Sequence, residues 1–182
     1  MTTKKEQEFL LKSAKDAILN YPKTASLDSN KLSSTLKEKR GVFVTLTIHG
    51  QLRGCIGTIE PIMPLYEAVI KNSANAAYSD PRFPPLTKEE ADKLAIEISV
   101  LTKPVKLNYT DTADLLKKLN HDLGIIIKKG FATATFLPQV WEQLPDKEQF
   151  LANLCLKANL SPEAWKDSSI EVYAYKVEKF GI

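Results

Sequence analysis

Residues 41–58 read GVFVTLTIHGQLRGCIGT, and this stretch decides the fold. Apolar and polar side chains alternate from Val42 to Ile48, which is the two-residue period of a half-buried strand. His49-Gly50-Gln51 is typical of a tight turn, and a second strand begins at Leu52. The stretch therefore predicts an antiparallel hairpin with one face buried in the core.

The register of this hairpin decides which way Cys55 points, because a shift of one residue reverses every side chain. A two-residue loop pairs Ile48 with Gln51 and buries Arg53. A three-residue loop puts Arg53 and Cys55 together on the open face. We predict the three-residue loop, because it keeps apolar residues opposite apolar residues. Its apolar pairs are Ile48 with Leu52 and Val44 with Ile56.

The rest of the chain mixes helices and strands without a regular alternation. A capping box at Thr3–Glu6 predicts a helix over about 4–20, and the polar stretch that ends at Lys39 predicts a loop with at most one helical turn. The order favours the α+β class, with a mixed, mainly antiparallel sheet and flanking helices in one domain over residues 1–182. A second capping box at Thr87–Glu90 predicts a short helix. The other predicted elements are helices that open at Pro64 and Asp111, a helix over 138–160, and strands over 96–100, 124–128, 131–136 and 169–180.

Composition and charge exclude several classes of protein. The net charge of +3 is too mild to indicate nucleic-acid binding by charge alone. No stretch approaches the roughly 18 apolar residues of a membrane span, and the N-terminus lacks the apolar core of a signal peptide, so we expect a cytoplasmic protein. Cys55 and Cys155 are expected to be reduced thiols, the second in the core. Nucleotide and metal motifs are absent, so neither a cofactor nor a metal is expected.

The segment Leu52–Gly57 is the strongest candidate site. In a strand, Arg53 and Cys55 point the same way with Cα atoms roughly 6.5–7 Å apart, and a guanidinium at that range would favour the thiolate. Gly54 and Gly57 remove side chains beside the thiol, which leaves room for a ligand. Three interpretations stay open: a structural core cysteine, a ligand-binding wall, which we favour, and a catalytic nucleophile.

Arginine usage points to the same region. Only three of the 25 basic residues are arginine, and Arg53 and Arg82 lie in the two most constrained segments. A planar guanidinium suits carboxylate or phosphate, so both are predicted ligand-binding residues, together with Asp80 and Glu97. A local ion pair between Asp80 and Arg82, and a solvated Glu97, are the structural alternatives.

Four ordered motifs form the most specific pattern in the chain: Gly50–Thr58, Asp80–Leu86, Ile96–Leu101 and Thr135–Glu142. This pattern closely resembles the AMMECR domain family over nearly the whole chain. Gln143–Asp146 and Leu154–Ala158 are especially similar to the bacterial and archaeal branch of that family, which is called AmmeMemoRadiSam system protein A.

The resemblance implies a compact α+β domain with a smaller appended lobe, built around Leu52–Gly57. It does not imply an established reaction. The association of the family with a Memo-type protein and a radical SAM enzyme implies a shared modification pathway that acts on RNA or a nucleobase. Two departures, at His121–Gly124 and at Asn159, argue against a site in the 120–124 loop.

Three hypotheses follow for function. In the first, the Arg53–Cys55 strand binds a small anionic or nucleobase-like ligand within that pathway, and Cys55 lines the pocket or acts as a nucleophile. In the second, the chain is a non-enzymatic adaptor, and the motif only shapes a surface that a partner protein recognises. The third is direct binding of nucleic acid, against which the mild net charge argues.

Overall fold

The computed structural model describes residues 1–23 and 29–182, and these form two compact units. The first unit comprises Met1–Thr102 and Glu178–Ile182, and the shorter second unit comprises Lys103–Val177. Both combine helices with a four-stranded sheet, so the α+β class is confirmed. That the two units make one cooperative domain stays a prediction.

Helices and strands alternate irregularly along the described residues. In chain order the helices are α1 (Lys4–Leu19), α2 (Ser34–Lys37), α3 (Leu65–Tyr78), α4 (Lys88–Ala91), α5 (Thr112–Lys118) and α6 (Lys147–Lys157), with short 3-10 helices at Ser29–Lys31, Pro138–Glu142 and Ala164–Lys166. The strands are β1 (Val42–Ile48), β2 (Gln51–Thr58), β3 (Leu94–Leu101), β4 (Val105–Lys106), β5 (Gly124–Lys129), β6 (Ala132–Phe136), β7 (Glu171–Tyr175) and β8 (Val177–Gly181).

The sheet of the first unit has the strand order β2-β1-β3-β8. Helix α3 packs on β1 and β2, and α1 packs on β3 and on α3. Val42, Val44 and Leu46 of β1 are fully buried beneath these helices, whereas the alternate residues of β1 are only partly buried. The helices therefore cover one face of this sheet, as the period of the sequence predicts.

The N-terminal helix is confirmed, and the loop after it needs correction. The predicted capping box forms, with Thr3 and Glu6 as its two members, and α1 buries Leu10, Ala14 and Ile18. Of the polar stretch that we predicted as a loop, residues 24–28 lie outside the described residues. The rest of it contains a 3-10 turn as well as α2, which is more helix than the single turn predicted.

The hairpin contains a bulge that the sequence analysis did not foresee. His49 and Gly50 both have positive φ, as a two-residue hairpin turn requires, and Ile48 pairs with Gln51. The predicted three-residue loop is therefore wrong. One extra residue, Arg53, has no partner on β1, and beyond it the register returns to the predicted one. The pairs there are Leu46 with Gly54, Thr45 with Cys55 and Val44 with Ile56.

The second unit is built on a sheet with the strand order β4-β7-β5-β6. Its core contains Trp141 and Phe150, whose rings stack with centroids 3.5 Å apart. The predicted helix over 138–160 is divided, because Pro145 separates a 3-10 turn from α6, which Asp146 caps. The predicted final strand over 169–180 is also divided, into β7 and β8, which belong to different sheets.

Candidate functional site

Cys55 lies on β2, which is an edge strand, so one side of its backbone has no neighbouring strand. Two side chains from the loop after α3 fill that side. The carboxylate Oδ2 of Asp80 accepts the N–H of Cys55 at 2.8 Å, and Nη2 of Arg82 donates to the Cys55 carbonyl oxygen at 3.1 Å. Both outward backbone groups of Cys55 are therefore satisfied by side chains.

The thiol of Cys55 lies against Thr45 on the neighbouring strand. Because the N–H and C=O of Cys55 point away from β1, Thr45 and Cys55 form a non-hydrogen-bonded pair, in which side chains come closest. Thr45 Oγ1 is 3.3 Å from Cys55 Sγ. Cys55 is partly exposed, whereas Cys155 is fully buried in the core of the second unit, where burial raises the pKa of its thiol.

Asp80 and Arg82 form the ion pair that the sequence analysis gave as the structural alternative. Asp80 is buried and accepts hydrogen bonds from the Arg82 backbone N–H at 3.1 Å, from Nε at 3.0 Å and from Nη2 at 2.7 Å. The hydrogen bonds from the Arg82 side chain hold the pKa of the Asp80 carboxyl well below its usual range. The Arg82 side chain is 53% exposed, so its cation is fixed at the surface beside Cys55.

We predicted that Arg53 and Cys55 lie together on the open face, but Arg53 has different surroundings. As the bulge residue it is buried, and its guanidinium donates to both carboxylate oxygens of Glu90, at 2.8 and 2.9 Å, and to the Pro84 carbonyl at 3.0 Å. The bonds from Arg53, together with one from the Thr87 backbone N–H, lower the pKa of Glu90 to about 2. Nη1 of Arg53 is buried and has no hydrogen-bond partner among the described residues. Most of the donor capacity that we assigned to an anionic ligand is thus used inside the protein.

Phe83 joins the two arginines of the site. The guanidinium carbon of Arg53 lies 5.9 Å from the centre of its ring, and that of Arg82 lies 5.5 Å from it. Both distances are in the range of cation–π attraction. The proline-rich loop therefore brings Arg53 and Arg82 to one aromatic ring, although only Arg82 reaches Cys55.

The two glycines of the motif are packed against protein atoms. A Cβ on Gly54 would collide with the carbonyl oxygen of Ala76 on α3, and a Cβ on Gly57 would collide with the ring of Phe43. The space that we expected beside each glycine is therefore filled, by the helix backbone in one case and by an aromatic ring in the other. Their assignment as ligand-binding residues stays a prediction.

Glu97 lies on the same sheet face as Cys55 but not next to it. Thr45 pairs with Cys55 on one side and with Glu97 on the other, so two strand spacings, about 10 Å, separate the two Cα atoms. A carboxylate oxygen of Glu97 is 3.7 Å from Nζ of Lys179. The open face thus carries four polar side chains, one on each strand: Cys55, Thr45, Glu97 and Lys179.

The contacts of two residues in this region were not predicted from the sequence. Glu90 was assigned only to a capping box, and nothing local to it signals the ion pair with Arg53. Lys179 faces Glu97 through the pairing of strands that are distant in sequence. Neither contact has a signal in the sequence, because both depend on tertiary structure.

A cleft in the second unit does not coincide with this site. It has a volume of about 570 Å³ and lies between residues 106–112 and 165–172. None of the predicted site residues lines it. Within residues 1–23 and 29–182, no group of three or more histidine, cysteine, aspartate or glutamate side chains is placed to hold a metal ion. The helices of this same part of the chain are too short or too polar to cross a membrane.

Comparisons with known proteins agree with the fold. The family model described as AMMECR1 matches residues 11–180. Protein MK0488 of Methanopyrus kandleri is 40% identical, with 98% of this chain and 89% of the relative covered. Protein MJ0810 of Methanocaldococcus jannaschii is 38% identical, with 99% and 92% covered.

A solved structure is similar as well. The crystal structure of the uncharacterized protein PH0010 from Pyrococcus horikoshii matches with a TM-score of 0.85 and 39% identity. The match covers 98% of this chain and 92% of that one. The chain therefore belongs to the AMMECR1 family.

Proposed function

We propose that this chain binds a small anionic or nucleobase-like ligand beside Cys55, and that it acts in the cytoplasm with a Memo-type protein and a radical SAM enzyme in a modification pathway. The observation that carries the ligand site is the exposed guanidinium of Arg82, which Asp80 holds beside a partly exposed thiol. A fixed planar cation suits the recognition of phosphate or carboxylate.

The roles of the site residues differ from one another. Asp80 is buried and orients Arg82, so the surface of the pair is positive even though its net charge is zero. Arg53 and Glu90 stabilise the proline-rich loop that carries Arg82. Cys55 lines the site, and as a nucleophile it would need to lose its proton to solvent or to the ligand, because its neighbouring side chain is a threonine hydroxyl.

Charge-selective thiol reagents test the ligand site. Methanethiosulfonates with anionic, neutral and cationic tails react with Cys55 at rates that peptide mass spectrometry can follow, with Cys155 as the internal comparison. We expect the anionic reagent to outpace the cationic one several-fold at low salt, because Arg82 attracts its tail. In Arg82→Gln this preference should fall by about threefold or more.

Arg40 supplies a matched control for Arg82. Arg40 is paired with Glu38, two residues earlier, just as Arg82 is paired with Asp80. Arg40→Gln should leave the charge preference unchanged. Adenosine monophosphate should slow labelling of Cys55 in the wild type but not in Arg82→Gln. Equal charge preference in wild type and Arg82→Gln, together with no protection by the nucleotide, would remove the ligand site.

The pathway assignment rests on the family resemblance and needs its own test. Purified Memo-type and radical SAM proteins from the source organism can be mixed with this chain and examined by native mass spectrometry. A complex that forms at micromolar concentration with either protein supports the assignment. Failure of both to associate, together with unchanged radical SAM activity when this chain is added, argues against it.

The adaptor hypothesis is the second candidate, and one observation favours it. The expected space beside Gly54 and Gly57 is filled with protein atoms, as it would be in a motif that only shapes a surface. An adaptor should tolerate Cys55→Ser with unchanged folding and unchanged association with its partner. If Cys55→Ser associates normally but the modification that the pathway carries out is lost, the thiol takes part in chemistry and the adaptor hypothesis fails.

A further inference from the structure

We propose that Thr45 is the residue that positions the Cys55 thiol. This inference rests on the proposed function in that it concerns the same thiol. It adds a positioning residue to that site.

The pairing of the two strands brings the hydroxyl and the thiol together. Thr45 and Cys55 are directly opposite in a non-hydrogen-bonded pair, where Cα atoms are about 4.5 Å apart. The backbone of Cys55 is fixed independently, since Asp80 holds its N–H and Arg82 holds its carbonyl oxygen. Thr45 Oγ1 lies 3.3 Å from the sulfur itself, and the guanidinium of Arg82 is a charged group that also interacts with the Cys55 side chain.

A hydroxyl beside a thiol stabilises the sulfur most strongly when the sulfur is ionised. The hydroxyl then donates to a full negative charge, and such a hydrogen bond is stronger than one between neutral groups. Valine has the shape of threonine and the same preference for strands but no hydroxyl, so Thr45→Val removes this donor with little change in backbone. Thr45→Ser keeps the donor.

The test is the pH dependence of the reaction of Cys55 with methyl methanethiosulfonate, without any ligand. In this reaction the thiolate sulfur forms a disulfide bond with the thiomethyl sulfur, methanesulfinate leaves, and the thiol proton goes to solvent. We expect the midpoint of the rate profile to rise by about one pH unit in Thr45→Val, because one hydrogen bond to the charged form is lost.

Two further variants keep this test decisive. Thr45→Ser should restore the midpoint to within a few tenths of a pH unit of the wild type. Thr47→Val, on the same face but opposite Leu52, should leave it unchanged. A midpoint in Thr45→Val that equals the wild-type value overturns the proposal, and so does an equal shift in Thr45→Val and Thr45→Ser. Far-UV circular dichroism establishes that each variant is folded.

This outcome is separable from the proposed function. The charge preference and the nucleotide protection depend on Arg82. The difference in midpoint between wild type and Thr45→Val reports on Thr45, because Arg82 is present in both proteins. A wild-type midpoint in Thr45→Val with intact protection by adenosine monophosphate would remove the positioning role and keep the ligand site. A shifted midpoint with no protection would do the reverse.

Discussion

The carboxylate of Asp80 accepts the backbone N–H of Cys55 at 2.8 Å and thereby takes the place of a neighbouring strand at the edge of the first sheet. Arg82 supplies the second hydrogen bond that a neighbouring strand would make, because it donates to the carbonyl oxygen of the same residue. An open edge is a template for pairing with another chain, so this arrangement also protects β2. It explains why an acid that is almost fully buried and an exposed arginine occur two residues apart.

Asp80→Asn should destabilise the protein by about 2 kcal/mol, because hydrogen bonds to a buried charged group are worth about 1.5–3 kcal/mol each in the native state. Urea unfolding followed by circular dichroism measures the change. Glu38→Gln is the matched control, since it removes the exposed partner of Arg40, and it should change stability by less than about 0.5 kcal/mol. Equal effects of the two substitutions would contradict the role of Asp80 as an edge residue.

The hairpin shows how far the sequence analysis reaches. Alternation of apolar residues predicts both strands, their antiparallel pairing and the face on which Cys55 lies, and the structure agrees with each. It does not predict the bulge at Arg53, because a two-residue turn followed by one extra residue gives the same register beyond the bulge as a three-residue loop. The bulge buries Arg53, so the predicted surroundings of Arg53 were wrong for the same reason.

The site was predictable only in part. Arg82 and Asp80 could be placed near each other from their spacing, and the ion pair was one of the alternatives considered. Their contact with Cys55 depends on how the loop after α3 folds onto the edge of β2, and no local pattern encodes that. The partner of Arg53 is likewise a tertiary contact, although Glu90 was visible in the sequence as a capping residue.

Gly54→Ala should destabilise the protein by about 3 kcal/mol, because its Cβ would collide with the backbone carbonyl of Ala76, which cannot move aside as a flexible side chain can. Gly50→Ala is the comparison within the same hairpin. Nothing lies within 4 Å of a Cβ there, and the positive φ of Gly50 alone should cost about 1 kcal/mol. If Gly54→Ala is the milder of the two, packing on α3 does not explain the glycine, and a role in ligand binding gains weight.

Acid should weaken the Arg53–Glu90 pair. The pKa of Glu90 falls from its ordinary value of 4.5 to about 2 in the folded protein, so the unfolded chain binds the proton more readily. Its contribution is therefore complete above about pH 5 and is lost as the pH falls from 4.5 toward 2. Glu90→Gln should be about 2 kcal/mol less stable than the wild type at neutral pH, because the buried Arg53 loses its counter-ion.

The difference between wild type and Glu90→Gln should shrink steadily below pH 4.5, because Glu90 of the unfolded wild type takes up a proton there, whereas folded Glu90 stays ionised until the pH nears about 2. Urea unfolding at a series of pH values gives this difference directly. A gap between the two proteins that stays constant from pH 6 to pH 2.5 would show that the carboxylate charge is not what stabilises the loop.

Whether the two units unfold as one domain can be decided with tryptophan fluorescence. Both tryptophans, Trp141 and Trp165, are buried in the second unit, whereas circular dichroism reports on both units. The second unit is inserted in the chain between Thr102 and Glu178, so both of its ends continue into the first. We therefore expect the fluorescence and dichroism transitions in urea to coincide, and Asp80→Asn to shift both equally although Asp80 lies in the first unit. A fluorescence transition that Asp80→Asn leaves unmoved, with a two-step dichroism curve, would instead mean two separate domains.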